Sequence, residues 1–184
     1  MPDFTDDPLF PTFYTLPTTT DDAAQLDRDW FMVAEVKNNM TITKPTLIAT
    51  DRVGMDFAVT FEEDRGWDLK ARGLKKGAVM VVPRARRVDK GPGRKDVLVV
   101  EREDCESVKA IPGNLARVLD LGQRFNESSL AKCASCEKVG EGLMKCTGCG
   151  SVAYCSKECQ VRGWTELGHK SDCKVLKSIK SIWN

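Results

Sequence analysis

Cys133-Ala134-Ser135-Cys136 and Cys146-Thr147-Gly148-Cys149 are two Cys-x2-Cys turns. Cys155-Ser156-Lys157-Glu158-Cys159 and His169-Lys170-Ser171-Asp172-Cys173 follow them. These four pairs hold seven of the chain's eight cysteines and its single histidine. A Cys-x2-Cys turn aims both sulfurs at one point. Gly148 inside the second turn and Gly150 just after it relieve the backbone crowding there. Residues four apart share a face of a helix, so Cys155 with Cys159, and His169 with Cys173, read as helical pairs. Eight ligands of this type make two tetrahedral zinc sites. A disulfide-stapled module would leave His169 without a role, and the acidic, proline-broken start Met1-Pro2-Asp3-Phe4-Thr5-Asp6-Asp7 is unlike a secretory signal. Spacing alone permits either consecutive or interleaved pairing of the four ligand pairs.

The segment resembles a MYND-type zinc finger. The marks are the two Cys-x2-Cys turns, Tyr154-Cys155-Ser156-Lys157-Glu158-Cys159-Gln160, Trp164 and His169-x3-Cys173. The resemblance covers 133 to 173 and implies interleaved sites. One zinc takes Cys133, Cys136, Cys155 and Cys159; the other takes Cys146, Cys149, His169 and Cys173. Nine residues separate Cys159 from His169, where many members have about seven; the extra length is placed in Thr165-Glu166-Leu167-Gly168. The resemblance also implies a groove for peptides of the Pro-x-Leu-x-Pro kind. Gln160 and Trp164 match positions that contact peptide in the family. Ser151, Val152, Ala153 and Tyr154 form an extended stretch whose main chain is expected to add a peptide strand.

Both sites are closed by four protein ligands, leaving no position for a catalytic water. The stretch is too poor in apolar residues to fold on its own core. Structural zinc supplies about 10–16 kcal/mol of apparent binding free energy in finger peptides. Residues 130–184 carry nine Lys or Arg against five Asp or Glu. The thiolates of two zinc sites bring that excess close to neutrality, so the holo-finger is a poor phosphate binder.

Ahead of the finger, the sequence reads as β structure. Trp30 to Val36, Thr46 to Thr50, Ala78 to Val82 and Val97 to Val100 are apolar or β-branched runs, and Ser107 to Ile111 adds a short last one. Phe57, Val59 and Phe61 alternate with Ala58 and Thr60, a half-buried strand of period two. A short helix pinned by Trp67 and Leu69 is expected between the third and fourth strands. The pattern predicts a small antiparallel, OB-like barrel. Asn114 is a candidate N-cap for a helix carrying Leu115, Val118, Leu119 and Phe125, with Asn126 to Ser129 as linker. The fold class is therefore mixed: a small all-β N-terminal domain, then a two-zinc finger of hairpin and short helices. The expected divisions are a disordered acidic Pro-Thr tail over 1–27, the β domain with its closing helix over 28–125, the finger over 130–176 and a helix end over 177–184. In the tail, Leu9, Phe10 and Leu16 lie beside prolines and make a weak docking motif.

At 184 residues, 41% hydrophobic, 30% charged and net charge +1, the composition is ordinary for a soluble protein and excludes a strong overall pull toward DNA, RNA or membrane. With no apolar run long enough to span a bilayer, the expected location is the cytoplasm or nucleus. Arg84, Arg86, Arg87, Lys90, Arg94 and Lys95 form a basic run without interleaved aromatics, which fits a solvated hairpin tip or part of a nuclear import signal better than a base-stacking surface. Cys105 lies among carboxylates and reads as an ordinary free thiol. Val175, Leu176, Ile179, Ile182 and Trp183 recur at helical spacing and suggest an amphipathic helix that packs on the finger or the barrel. No catalytic set appears: the single histidine is a metal ligand, and neither a phosphate loop, a Gly-x-Ser-x-Gly elbow nor SET motifs are present. The reading is a zinc-binding, non-enzymatic adaptor that holds a proline-containing peptide of a protein partner. The alternatives are a nucleic-acid-binding protein using the barrel and its 84–95 loop, and a fragment of a larger enzyme.

Overall fold

The computed structural model describes residues 1–21, 29–64, 66–125 and 127–183. The chain divides into two compact units, one of residues 4–116 and one of residues 1–3 with 117–184. No helix of the described residues is long and apolar enough to cross a membrane.

The first unit holds seven strands: β1 (Phe31–Asn39), β2 (Thr46–Thr50), β3 (Asp56–Phe61), β4 (Val79–Pro83), β5 (Arg87–Val88), β6 (Val97–Val100) and β7 (Lys109–Ile111). They form one sheet in the order β5-β6-β3-β2-β1-β4-β7. Period-two patterning puts Met32, Ala34 and Val36 of β1, Leu47 and Ala49 of β2, and Phe57, Val59 and Phe61 of β3 into the core. Burying each of these side chains other than the two alanines is worth roughly 1.5–3 kcal/mol. β4 is buried on both faces, as its unbroken run of Val79, Met80, Val81 and Val82 requires.

Two features differ from a small antiparallel barrel. β3 and β6 run parallel, pairing Ala58 with Val97 through Phe61 with Val100. The sheet is also open, since the terminal strands β5 and β7 are not paired with each other. Between β3 and β4, the described residues form turns where a short helix was expected. The Asp68 carboxylate accepts the N–H groups of Lys70 and Ala71, closing a local turn in place of a helix. Leu69 and Leu74 are buried from this stretch.

The expected disordered tail over 1–27 is not what its described residues form; residues 22–27 lie outside the described residues. Phe10 and Leu16 are buried, and Phe13 stacks on Phe57 with ring centroids 4.3 Å apart and an interplanar angle of 9°. Phe31 N–H donates to Leu9 O at 2.8 Å, Arg87 N–H to Pro17 O at 2.8 Å, and Thr19 N–H to Arg87 O at 3.0 Å. The segment is a strap, and Thr18 bridges in parallel to Arg87 of β5. The aromatic side chains act as single pegs, so they need no period. The candidate docking residues Phe10 and Leu16 are consumed in this packing.

The second unit contains α1 from Arg117 onward (α1 spans Leu115–Arg124), the hairpin β8 (Met144–Lys145) and β9 (Ala153–Tyr154), α2 (Lys157–Thr165) and α3 (His169–Ile182). The sequence's last apolar series is the continuation of α3, in which Val175, Leu176 and Ile179 are buried.

Candidate metal centre

Two knuckles of matching geometry start the site. Glu137 N–H donates to Cys133 O at 2.8 Å, and Gly150 N–H donates to Cys146 O at 2.7 Å. In each, the residue four after the first cysteine is left-handed: Glu137 at φ 61° and Gly150 at φ 65°. The turns point main-chain N–H groups at sulfur. Burial opposes ionisation of Cys133, but the N–H groups of Cys155, Cys136 and Ser135 outweigh it and pull the thiol from 9.0 down to about 6. In Cys146, burial is likewise outweighed, by the N–H groups of Cys149 and Gly148 and by neighbouring thiols, and the thiol is lowered. The first cysteine of each knuckle is thus prepared to hold thiolate, the form that binds metal, whereas burial raises the thiol of Cys149.

The helices supply the other ligands. Ser156 caps α2 by accepting Cys159 N–H at 3.2 Å, which fixes the turn carrying Cys155 and Cys159. α3 begins at His169, so His169 and Cys173 lie one turn apart. Burial lowers the His169 pKa, with Asp172 acting in the opposite sense, and favours the neutral imidazole that a metal needs.

Cys133, Cys136, Cys155 and Cys159 converge in one cluster, and Cys146, Cys149, His169 and Cys173 in a second, with ligand atoms within 4.8 Å of one another. The pairing is interleaved. Sulfur separations are 3.6 Å for Cys136–Cys155, 3.6 Å for Cys155–Cys159 and 3.9 Å for Cys146–Cys173. His169 Nε2 is 3.3 Å from Cys146 Sγ and 3.7 Å from Cys149 Sγ. Zn–S bonds of about 2.3 Å give a tetrahedron with edges of about 3.8 Å, so the donor sets fit zinc. Disulfides are excluded by the same distances.

Two residues that the sequence reading passed over, and a third that it read for another reason, support these ligands. A Cβ on Gly163, inside α2, would come within 2.5 Å of the Tyr154 ring, so glycine lets the helix sit on β9. Its signal was a glycine in a helix interior, which costs about 1 kcal/mol and therefore asks for a reason. Asp172, buried between two ligands, receives the Arg117 guanidinium, whose Nε is 2.9 Å away. That pair ties α1 to the ligand helix, and no local pattern announces it. Gly148 was noticed for its turn, but its constraint lies elsewhere: a Cβ there would stand 2.8 Å from Cys173 Sγ.

The candidate peptide residues are placed less simply. Gln160 is half-buried, and Trp164 is 39% exposed with its ring edge-on to His169 at 5.8 Å. Ser151, Val152, Ala153 and Tyr154 are all buried. Their main chain is already engaged: Val152 O accepts Cys146 N–H at 2.9 Å, and Ala153 O accepts Ala134 N–H at 2.8 Å. The open edge belongs to β8. Met144 pairs with Tyr154 and Lys145 with Ala153. Bonded and non-bonded pairs alternate in an antiparallel ladder, so Lys145 directs its N–H and C=O away from β9.

Three arginines of the basic run are engaged within the first unit, while Lys90, Arg94 and Lys95 are exposed. Arg84 Nε donates to Asp29 at 2.8 Å, Arg86 donates to Asp21 O, and Arg87 pairs with Asp96. Cys105 is fully buried, and burial, reinforced by Glu63, pushes its thiol up to about 11.

The site is thus that of a zinc finger with two interleaved clusters, each offering four protein ligands for one zinc ion. Residues 133–173 match the family model of the MYND finger, and this segment of the chain is a MYND finger. The chain is 38% identical over 80 residues to a hypoxia-inducible factor prolyl hydroxylase of Caenorhabditis elegans, covering 41% of this chain and 11% of the relative. It is 26% identical over 150 residues to ubiquitin carboxyl-terminal hydrolase 15 of Arabidopsis thaliana, covering 82% and 14%. It is 44% identical over 48 residues to histone-lysine N-methyltransferase SMYD3 of Homo sapiens, covering 26% and 11%. The chain therefore spans only 11–14% of the length of these relatives.

Proposed function

We propose that this chain is a non-enzymatic adaptor, acting in the cytoplasm or nucleus, whose finger binds a short proline-containing segment of a partner protein. MYND fingers are protein-interaction modules, and the observation that carries the reading is Trp164: a large apolar ring left 39% exposed on the finger. A tryptophan face suits proline or leucine. Gln160, one turn earlier on α2, brings an amide for a peptide carbonyl. Main-chain pairing falls to Lys145 on the open edge of β8, because Ser151 to Tyr154 are already committed. The finger over 130–176 and the β domain over 28–125 serve as separate modules in this reading. The nucleic-acid alternative loses support, since Arg84, Arg86 and Arg87 are engaged within the chain.

Titration calorimetry with a Pro-x-Leu-x-Pro peptide tests the proposal. Trp164→Ala and Gln160→Ala are expected to weaken binding at least about tenfold, since each removes about 1.4 kcal/mol or more. Native mass should still show two zincs. Unchanged affinity in both variants would overturn the groove assignment.

A further inference from the structure

The two metal clusters are unequally protected. Cys146, Cys149, His169 and Cys173 are all buried. In the other cluster only Cys133 is buried; Cys136 and Cys155 are exposed, and Cys159 is half-buried. The two exposed sulfurs are also neighbours, 3.6 Å apart. Charge adds to the asymmetry. Four thiolates around a divalent ion leave a doubly negative site, whereas three thiolates and a neutral imidazole leave a singly negative one. The sulfurs of the first site are therefore both the more electron-rich and the more accessible, the two properties that govern thiol oxidation.

We infer that the cluster of Cys133, Cys136, Cys155 and Cys159 is an oxidation-sensitive modification site, in which hydrogen peroxide joins Cys136 to Cys155 while the second site keeps its ion. One of the two thiolates attacks a peroxide oxygen. An S–O bond forms, the O–O bond breaks, and hydroxide leaves. The other thiolate attacks the resulting sulfenic sulfur, forming the S–S bond and expelling a second hydroxide. Solvent protonates both hydroxides to water, and the two electrons lost by the sulfur pair reduce the peroxide. The sulfurs close from 3.6 Å to about 2.05 Å. Cys133 and Cys159 remain as half a site, too few to retain the ion. The change falls at the start of α2, because Cys155 adjoins the Ser156 cap and Cys159 lies in the first turn.

The test uses the full chain loaded with zinc and treated with hydrogen peroxide. Native mass before treatment establishes two bound ions, which separates a failure of this inference from a failure of the metal assignment. Released zinc is followed with a chromogenic chelator, and oxidised cysteines are mapped by alkylation and peptide mass. One zinc is expected to leave at least about tenfold faster than the other, because susceptibility follows exposure. A Cys136–Cys155 disulfide should accompany it, with Cys146, Cys149 and Cys173 still reduced. A thiol reductant with added zinc should restore the starting mass. Simultaneous loss of both ions, earlier oxidation of Cys146, Cys149 or Cys173, or retention of both ions at peroxide levels that oxidise the methionines would each overturn the inference.

Discussion

The carboxylate of Asp51, 3% exposed, accepts the main-chain N–H of Phe13 at 2.9 Å across 38 residues of sequence. Its other oxygen accepts the N–H groups of Val53 at 3.1 Å and Met55 at 2.8 Å. One buried side chain thus shapes the β2–β3 turn and fastens the N-terminal strap. Asp51→Ala removes all three bonds and leaves the buried Phe13 N–H without its acceptor. Hydrogen bonds to charged groups are worth about 1.5–3 kcal/mol each when lost. The first unit should lose at least that much in urea unfolding, with faster amide exchange over 13–19. An unchanged exchange rate at Phe13 would show that the aromatic pegs alone hold the strap.

The paired knuckles give opposite expectations for two substitutions. Glu137 and Gly150 occupy equivalent left-handed positions, at φ 61° and 65°. A side chain there costs about 1–2 kcal/mol. Gly150→Ala should lower finger stability by about 1 kcal/mol, while Glu137→Gly should be neutral or stabilising, the relief of strain offsetting lost chain entropy. Thermal unfolding of the zinc-loaded protein reads both signs.

Acid should release zinc from the finger. A thiol at about 6 in folded Cys133, against 9.0 unperturbed, contributes stability that is complete above pH 9 and lost as pH falls toward 6. His169 has a lowered folded pKa, so its contribution is complete above the usual 6.5 and lost as pH falls below that value. The thiols of Cys149, Cys155 and Cys173 are shifted upward instead, but zinc binds only deprotonated ligands, so protons compete with the metal at every one of them. Zinc affinity, measured by chelator competition, should fall steadily between about pH 8 and about pH 5.5. Chelation at constant pH should collapse NMR dispersion over 130–183 and spare the sheet of the first unit.

Metal chemistry made one half of this protein legible and topology hid much of the other. Cysteine and histidine side chains must converge on a point, and that demand leaves a fixed spacing in the sequence. The strands were also visible, because Phe57, Val59 and Phe61 must alternate to reach a core. Their order was not: the parallel pairing of β3 with β6 joins segments almost 40 residues apart, and nothing local in either strand encodes it. The strap failed to register for a related reason. Phe10, Phe13 and Leu16 fill separate places on a surface made elsewhere, so they carry no periodic signature. The open edge of β8 is hidden too, since it depends on Ala134 having taken the other side of β9.

Gly163 and its neighbour Trp164 separate support of the metal site from recognition. A methyl group at Gly163 would meet Tyr154 ring carbons at 2.5 and 2.9 Å and its hydroxyl oxygen at 2.7 Å. Tyr154 is buried, lies in β9 and directly precedes the ligand Cys155, so it has little room to yield. Alanine should gain about 1 kcal/mol of helix propensity over glycine. Overpacking costs typically about 1–3 kcal/mol, and here it acts on the contact between α2 and β9 that brings Cys159 to Cys155. Overpacking should win. Gly163→Ala is therefore expected to weaken zinc at the Cys133, Cys136, Cys155 and Cys159 site, as read by native mass and chelator competition. Trp164→Ala, which trims a partly exposed ring, should keep both ions and lose only the peptide. If Gly163→Ala holds both zincs as tightly as the parent while Trp164→Ala loses one, the roles are reversed: Trp164 is then part of the packing around His169, and the peptide surface lies elsewhere on the finger.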